Sequence, residues 1–264
     1  MPRTREHPSC LYRRHRIDRG QDPLYRVPVD LGLGGPHRAP DGSGGCTFCP
    51  EHGSRAVQTR GCAGIDEQVE SGLRFARKRY GAEHFMLYVQ AFTATLAPVA
   101  AQRAFYTDLL ARYPFDAVSI GTRPDCLPSA VLNFLGELGR KTELWVELGV
   151  QTIHDATLQR IHRGHNWACS RAAIAALYAR NIHVVAHVIL GLPGEDGEAF
   201  NATAAALARE PLAGIKIHNL HVVRGTELAR ELREAPFPVY DEHDYGEILI
   251  EFLRRLPPDL PALR

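Results

Sequence analysis

The sequence predicts one α/β domain built on a parallel sheet, and three observations indicate this fold class. Six short apolar runs alternate with segments of helical character, the order expected of parallel strands joined by right-handed crossovers. The runs are almost continuously apolar, which is typical of strands covered on both faces. The chain has 264 residues, of which 45% are hydrophobic, and a chain of this size and composition buries a substantial core.

The predicted elements follow one another without an internal repeat or a linker. The predicted strands span residues 24–31, 84–91, 115–121, 143–150, 183–190 and 215–220. The predicted helices span residues 66–79, 98–112, 129–138, 170–180, 198–209 and 241–255. The first helix begins with acidic residues and ends with basic ones, as the helix dipole favours. We expect a flexible arm over residues 1–22, a core over 23–230, and a C-terminal helix and tail over 231–264.

The charges of the chain are balanced, with 31 Lys and Arg against 30 Asp and Glu and a formal net charge of +1. The overall charge therefore favours neither nucleic acid nor an anionic membrane. The N-terminal arm is rich in Arg and His, which fits either RNA contact or a solvated chain end. No apolar run is long enough to cross a membrane, and the charged N-terminus lacks the apolar segment of a signal peptide. We expect a cytoplasmic protein without membrane contact.

The cysteines are irregularly spaced in a chain too large to need disulfides, so reduced thiols are expected. They are Cys10, Cys46, Cys49, Cys62, Cys126 and Cys169. Cys46 and Cys49 form a C-x-x-C pair at the end of a glycine-rich loop over residues 32–45, where backbone can approach a bulky ligand closely. This spacing alone is compatible with zinc, an iron–sulfur cluster or a redox dithiol.

Polar or turn-forming residues follow most of the predicted strands. In a parallel sheet the ligand lies beyond the carboxyl ends of the strands, so these residues should converge on one mouth that faces the cysteine pair. The candidates are Gln90 and Thr93 after the second strand, Arg123 after the third, Glu147 and Gln151 around the fourth, and Gly191, Leu192 and Pro193 after the fifth.

Seven short motifs lie in order along these strands and loops. They are GGCTFC (44–49), YVQAFTAT (88–95), GTRPDCL (121–127), ELGVQT (147–152), RGH (163–165), HVILGLPGE (187–195) and IKIHNLHVVRGT (215–226). The ordered set resembles the radical S-adenosylmethionine (SAM) superfamily, and within it a bacterial family similar to the radical SAM core of the elongator catalytic subunit. The resemblance covers most of residues 24–230.

The resemblance implies a partial (β/α)6 TIM-like barrel that holds a [4Fe–4S] cluster. In such enzymes three cysteines bind three irons, SAM chelates the fourth, and an electron cleaves SAM to methionine and a 5′-deoxyadenosyl radical. The resemblance also implies a reductant such as flavodoxin or ferredoxin as a partner. Its kinship with elongator makes a tRNA base a conceivable substrate, although the net charge does not support one.

The resemblance assigns roles residue by residue. Cys46 and Cys49 would bind the cluster. Gln90 and Thr93 would meet the amino group of SAM, and Glu147 and Gln151 its ribose or methionine part. Gly191, Leu192 and Pro193 would lie against the adenine, and Arg123 would pair with a carboxylate or phosphate.

Plainer interpretations exist for several of these residues. Gln90 and Gln151 are also suited to capping the rim of the barrel, and the turn over residues 190–194 is also typical of any strand-to-helix connection. Cys126 and Cys169 fit small buried residues better than metal ligands. Most of the histidines in or beside strands, namely His183, His187, His218 and His221, fit hydrogen-bonded positions inside the barrel.

One position departs from the family. The family has a third cysteine upstream, in a stretch like Gly-Phe-Thr-Cys-Pro-Asn-Arg, and Gly35 stands at that place in Gly-Leu-Gly-Gly-Pro-His-Arg (32–38). Cys62, Cys10 or His37 would then have to supply the missing ligand. Alternatively the cluster is labile or absent and the barrel binds a nucleotide or a partner. A different metal such as zinc ranks last, because no second C-x-x-C is present.

Overall fold

The structure is a computed structural model that describes residues 20–39, 44–50, 56, 59 and 61–263. Within these residues, seven parallel strands form one sheet in chain order, and the sheet curves into a half-barrel. The strands are β1 (Tyr25–Asp30), β2 (Phe85–Gln90), β3 (Phe115–Thr122), β4 (Glu143–Gln151), β5 (His183–Leu190), β6 (Gly214–Asn219) and β7 (Ala262–Leu263).

Helices cover the outer face of the sheet. They are α1 (Ile65–Tyr80), α2 (Val99–Arg112), α3 (Ser129–Gly139), α4 (Asp155–Arg160), α5 (Trp167–Tyr178), α6 (Gly197–Leu207), α7 (Glu227–Glu234) and α8 (Glu242–Leu253), with a 3₁₀ turn at Pro124–Cys126. The main core lies between the helices and the outward side chains of the strands, such as Val146 and Leu148, which are fully buried. No helix in the described ranges is both long and apolar enough to cross a membrane.

The predicted fold class is confirmed, and the six predicted strands end within one residue of the observed ones. The prediction of a single helix after the sixth strand was wrong, because α7 and α8 both follow β6. It also missed α4 and β7, since elements of six and two residues are too short to show a hydrophobic period. β7 extends the sheet by pairing with β6. The proposed division at residues 22 and 230 stays a prediction, and most of the arm lies outside the described residues.

The inner face of the half-barrel is layered along the strand direction. Alternate residues of a strand face the same side, so positions two apart lie in successive layers. At the amino ends of the strands, the apolar floor consists of Leu24, Met86, Ala117, Trp145 and Val185, all buried. One step toward the carboxyl ends is a polar layer, which consists of Tyr88, Ser119, Glu147, His187 and Lys216.

Candidate cofactor site

A cavity of about 260 Å³ opens at the carboxyl ends of the strands, above the polar layer. It brings together seven of the predicted site residues, which are Cys46, Cys49, Gln90, Thr93, Arg123, Glu147 and Gln151. Gly35 and His37 line the same cavity. The convergence of the strand ends on the cysteine pair, expected from the sequence, is therefore present. Gly191, Leu192 and Pro193 are not among the described residues that line the cavity.

Cys46 is surrounded by cationic donors. Arg163 Nη1 lies 3.3 Å and Arg123 Nη1 3.6 Å from its sulfur, and Cys46 itself is only 7% exposed. A hydrogen bond from Cys49, supported by the two guanidinium groups, lowers the pKa of Cys46 to about 4 against the opposing effect of burial. The hydrogen bond to Cys46 and burial raise the pKa of Cys49. The lowered pKa of Cys46 favours the thiolate, which is the form of cysteine that binds metals.

The two arginines are fixed by contacts on their other nitrogens. Arg163 donates from Nη2 to the carbonyl of Gly149 at 2.7 Å and from Nε to the His165 ring at 3.1 Å. A side-chain carbon at position 149 would collide with the Arg163 guanidinium, which explains the glycine of the ELGVQT motif. Arg123 donates to the Arg163 carbonyl and pairs with Asp125 through two bonds of 2.9 Å. Cys46, Cys49, Arg123 and Arg163 together form what we call the rim of the cavity.

The loop that carries the cysteines is anchored to neighbouring elements by backbone hydrogen bonds. Thr47 N–H donates to the Ile161 carbonyl at 3.1 Å, and the Thr47 carbonyl accepts from Leu228 N–H at 2.9 Å. Gly44 and Gly45 adopt φ values of 76° and 82°, a region that favours glycine. Arg38 donates to the carbonyl of Cys49 at 3.0 Å. The cysteine pair is thus held at a fixed place although it lies on a loop.

The position of the missing third cysteine faces the same cavity. A side-chain carbon at Gly35 would meet nothing within 4 Å, so a ligand there would have room. His37 Nε2 lies 3.2 Å from Asp125 Oδ2, a carboxylate partner of the kind that often orients a metal-binding histidine. Cys62 is not among the lining residues, and Cys10 lies outside the described residues.

The residues present match a [4Fe–4S] site only in part. Two thiol ligands face the cavity, and across the described ranges no group of three His, Cys, Asp or Glu side chains is placed to hold a metal ion. A cluster of the kind that the family resemblance implies takes three cysteine ligands, and the described residues do not supply the full set in this arrangement. The alternatives for the third ligand therefore stay open.

Glu147 lies in the polar layer at the inner end of the cavity. Its side chain is fully buried and its Oε2 accepts from Tyr88 OH at 2.8 Å, while His187 Nε2 lies 2.6 Å and Lys216 Nζ 3.2 Å away. Burial lowers the pKa of His187 despite the nearby carboxylate. The predicted role of Glu147 at the ribose or methionine of SAM was inferred from its strand position. Glu147 lines the cavity as well as contacting these protein partners, so that role stays a prediction.

The remaining polar candidates sit on bent backbone at the strand ends. Gln151 has a φ of 72° at the point where the register between β4 and β5 shifts, and it is buried. Thr93 follows Ala91 and Phe92, whose φ values are 68° and 50°. Such left-handed positions in non-glycine residues are uncommon and cluster at functional sites. With the backbone bent in this way, Gln151 and Thr93 both line the cavity.

The turn after β5 is packed against other parts of the chain. Gly191 adopts a φ of 96°, and a side-chain carbon there would lie 3.3 Å from the Tyr240 ring. Glu195, the last residue of the HVILGLPGE motif, accepts a 2.6 Å hydrogen bond from Thr152 at the end of β4. The turn is therefore fastened to β4, and its buried side chains Leu192 and Pro193 do not reach the cavity.

Two sequence-based interpretations need correction. Cys126 is buried as expected, but Cys169 is only half-buried, because it lies in the first turn of α5 beside a surface groove. His187 has its hydrogen-bond partner inside the barrel, whereas His218 and His221 are exposed.

The sequence motifs included several cavity residues to which no role at the cofactor was assigned. Arg163 belongs to the RGH motif, and Tyr88, His187 and Lys216 occupy inward positions of β2, β5 and β6. The period-two alternation on each predicted strand was the signal that could have identified the last three.

Comparison with known proteins places the chain in a family. Residues 40–207 match the model of the radical SAM superfamily, and residues 212–264 match that of the Radical SAM C-terminal domain. The chain belongs to the radical SAM superfamily. It is 35% identical over 240 residues to the uncharacterized protein YtqA of Bacillus subtilis, covering 90% of this chain and 74% of that one. It is 34% identical over 239 residues to protein YhcC of Escherichia coli, and this match covers 90% of this chain and 76% of that one.

A more distant relative of this radical SAM chain is the tRNA uridine(34) acetyltransferase of Methanocaldococcus jannaschii. It is 31% identical over 136 residues, which is 50% of this chain and 25% of that protein. Among solved structures, the Elp3 protein of Methanocaldococcus infernus superposes with a TM-score of 0.70 at 20% identity, covering 91% of this chain and 56% of that one. Coproporphyrinogen III oxidase from Escherichia coli superposes with a TM-score of 0.62 at 19% identity, and this match covers 88% of this chain and 52% of that one.

These matches confirm the family resemblance and the partial-barrel fold. At this level of identity the two solved structures support the fold alone. The chain spans about three quarters of the length of the curated relatives YtqA and YhcC, and just over half the length of the solved structures.

Proposed function

We propose that the chain is a radical SAM enzyme that binds SAM and an iron–sulfur cluster in the cavity and cleaves SAM reductively to start radical chemistry. The observation that carries this proposal is the cysteine pair Cys46 and Cys49, which lines a cavity at the carboxyl ends of the strands in a radical SAM half-barrel. The cluster, when bound, supplies the electron that cleaves SAM.

The side chains at the rim have distinct parts in this proposal. Cys46 and Cys49 bind iron, and Arg123 and Arg163 offset the negative charge of the thiolate ligands through their bonds to Cys46. Phe48 lines the cavity and packs against a cluster of apolar residues, so it excludes water from the cysteine end. A dry site strengthens each of these electrostatic contacts.

The contacts with SAM remain proposals. Gln90 and Thr93 take its amino group and Gln151 its ribose or methionine part, since all three line the cavity. Glu147, which also lines the cavity, contacts the ribose or methionine part of SAM as well and orients Tyr88 and Lys216 through its hydrogen bonds. The turn at Gly191, Leu192 and Pro193 remains the proposed neighbour of the adenine, which would have to extend beyond the cavity to meet it, since the turn is not part of the cavity lining. Arg123 already donates two hydrogen bonds to Asp125, so it pairs with a carboxylate of a ligand only after one of these bonds breaks.

The partners are proposed on the family alone. A reductant such as flavodoxin or ferredoxin would supply the electron. A tRNA base as substrate is suggested by the partial likeness to a tRNA uridine(34) acetyltransferase, which covers 50% of this chain. The formal net charge of +1 adds no support for RNA. The cytoplasmic location expected from the sequence likewise stays a prediction.

Anaerobic reconstitution tests the proposal. We expect about four iron and four sulfide per chain, as a [4Fe–4S] cluster requires, and reductant-dependent conversion of SAM to 5′-deoxyadenosine and methionine. A Cys46→Ala variant treated in parallel controls for iron bound nonspecifically. Failure of the natural chain to assemble any cluster under these conditions would contradict the enzyme proposal.

The absence of a side chain at Gly35 favours a second candidate function. The chain would then be a radical SAM barrel with an incomplete cluster site that binds a nucleotide or a partner without radical chemistry. Calorimetric titration of SAM or S-adenosylhomocysteine into the iron-free chain separates the two. Tight binding by the iron-free chain, with no cluster formed on reconstitution, is the result that the second candidate predicts.

A further inference from the structure

The last two turns of α1 concentrate positive charge, although the formal net charge of the whole chain is only +1. They carry four exposed cations, which are Arg74, Arg77, Lys78 and Arg79. No ion pair joins any of the four to another described residue. By contrast, Arg112 on the neighbouring α2 lies 2.8 Å from Asp66 and 2.5 Å from Asp108. The four cations of α1 are therefore available to an anionic partner.

The helix dipole accounts for only part of this charge pattern. The dipole favours cations in the last turn of a helix, and its effect falls off beyond that turn. α1 ends at Tyr80, and Gly81 follows in the left-handed conformation with a φ of 62°. Arg74 lies more than one turn before that end, so the dipole does not explain it.

Three of the cations line one groove. Arg74, Arg77 and Lys78 are three and four residues apart, so they share one face of α1. They line the groove together with residues 113–114, which precede β3. The Arg77 guanidinium lies 5.1 Å from the centre of the Phe85 ring at the start of β2. The groove is thus near the amino ends of the strands, whereas the cavity lies at their carboxyl ends.

Exposed aromatic rings lie on the same two turns. Phe75 is 48% and Tyr80 is 46% exposed. The Tyr80 ring stacks on that of Tyr25 at 5.4 Å and meets the Phe75 ring edge-on at 6.0 Å, so the rings hold one another in place. Cations that bind phosphates beside rings that stack on bases are typical of surfaces for single-stranded nucleic acid. An anionic lipid surface would satisfy the cations but gives the rings no flat partner.

Glu70 adds one acceptor to this groove of donors. It is exposed, lies one turn before Arg74 and lines the groove. A carboxylate repels phosphate, but it accepts a hydrogen bond from the 2′-hydroxyl of a ribose. RNA has this hydroxyl and DNA lacks it. The presence of Glu70 among the cations therefore favours RNA over DNA.

We propose that the last two turns of α1 form a surface that binds single-stranded RNA. Arg74, Arg77 and Lys78 contact phosphates. Phe75 stacks on a base, and Glu70 accepts a hydrogen bond from a ribose. The inference goes beyond the proposed function, because the surface shares no residue with the cavity and needs neither SAM nor a cluster.

Fluorescence anisotropy of the full chain with a labelled oligouridylate of about 12 nucleotides tests the proposal, since sites for single strands span about 4–16 nucleotides. We expect saturable binding that weakens as salt is added. The double variant Arg74→Gln and Lys78→Gln should bind about tenfold more weakly at physiological salt. It should also lower the slope of log Kd against log salt by about 1.4, because each phosphate contact contributes about 0.7.

The matched control for this double variant is Arg140→Gln with Lys141→Gln. It removes the same two charges from exposed positions just after α3, and it should bind RNA as the natural chain does. Absence of saturable RNA binding by the natural chain, or an equal loss in the control, overturns the proposal. Neither pair forms an ion pair with a described residue, so the thermal midpoints of both variants should match that of the natural chain.

The aromatic contact has its own test. Phe75→Ala should weaken RNA binding about fivefold or more without changing the salt slope, since stacking involves no phosphate. Phe75→Tyr keeps a ring and should restore binding. Equal binding by Phe75→Ala and the natural chain would overturn the role of Phe75 in the surface.

Three further measurements identify the partner. The oligodeoxyuridylate of the same length should bind more weakly than the RNA, and Glu70→Ala should narrow this difference. Equal binding of RNA and DNA by the natural chain overturns the assignment to RNA. Binding to phosphatidylserine vesicles without binding to RNA would assign the patch to a membrane and overturn the proposal. RNA binding by a chain that assembles no cluster would contradict the enzyme proposal alone and leave this surface standing.

Discussion

The rim and the polar layer lie one above the other in the same half-barrel, yet they are built differently. The polar layer comes from strand residues, and Glu147, with its side chain fully buried, ties Tyr88, His187 and Lys216 together. The rim comes from loops and holds the Cys46 sulfur between two arginines, with a glycine where a third ligand belongs. The side chains of the polar layer are thus partners of one another, whereas those of the rim line a cavity with room for a ligand.

Removal of either rim cysteine should have the largest effect, since it leaves one thiolate for the cluster. We expect Cys46→Ala and Cys49→Ala to abolish the visible absorbance of the reconstituted chain. Cys126→Ala is the matched control and should keep that absorbance, because Cys126 is buried away from the cavity lining. Retained absorbance in Cys46→Ala would show that the pair does not hold the cluster.

Neutralising the centre of the polar layer should cost the most folding stability. Glu147→Gln leaves Arg26 and Lys216 without their carboxylate, and breaking a buried ion pair costs about 3–5 kcal/mol. Urea unfolding measures this loss. Glu137→Gln, which removes an exposed pair with Arg103, should leave the midpoint unchanged. Equal midpoints for the two variants would contradict the structural role of the polar layer.

A smaller loss is expected at the contact that positions Arg163. Gly149→Ala places a methyl group against the guanidinium, and overpacking of this kind costs about 1–3 kcal/mol. Thermal denaturation should show a lower midpoint. At Gly197, the first residue of α6, a side-chain carbon would meet nothing within 4 Å, so Gly197→Ala should be neutral or slightly stabilising. A neutral Gly149→Ala would mean that Arg163 is free to move.

The smallest effect concerns Glu195, the buried acid that fastens the turn after β5. Burial raises its pKa above the ordinary value of 4.5, against the opposing hydrogen bonds from Thr152 and Thr157. A raised folded-state pKa means that Glu195 stabilises the fold when protonated and that this contribution is lost as the pH rises through the folded value. The free energies of unfolding of Glu195→Gln and of the natural chain should be measured from about pH 4 to pH 8. As the pH rises, the free energy of unfolding of Glu195→Gln should increase relative to that of the natural chain. A difference between the two chains that is constant over this range would contradict the assignment.

The sequence predicted the strands well because buried parallel strands have a clear apolar pattern. It also grouped Cys46, Gln90 and Arg123, since carboxyl ends of parallel strands meet at one edge. It did not reveal that Arg163 reaches Cys46, because that contact joins a loop to a residue 117 positions away. The left-handed backbone of Gln151 could not be read from the sequence either, since tertiary contacts impose it.

The central claim is that the rim is a radical SAM cofactor site from which one ligand, at Gly35, is missing. The most direct measurement is the electron paramagnetic resonance spectrum of the reduced, anaerobically reconstituted chain with and without SAM. Gly35→Cys and Gly34→Cys should be compared with the natural chain, since a side chain has open space at both positions. We predict a spectrum that changes when SAM is added, with more cluster retained in Gly35→Cys and no gain in Gly34→Cys. A spectrum that SAM leaves unchanged in both the natural chain and Gly35→Cys would contradict the account.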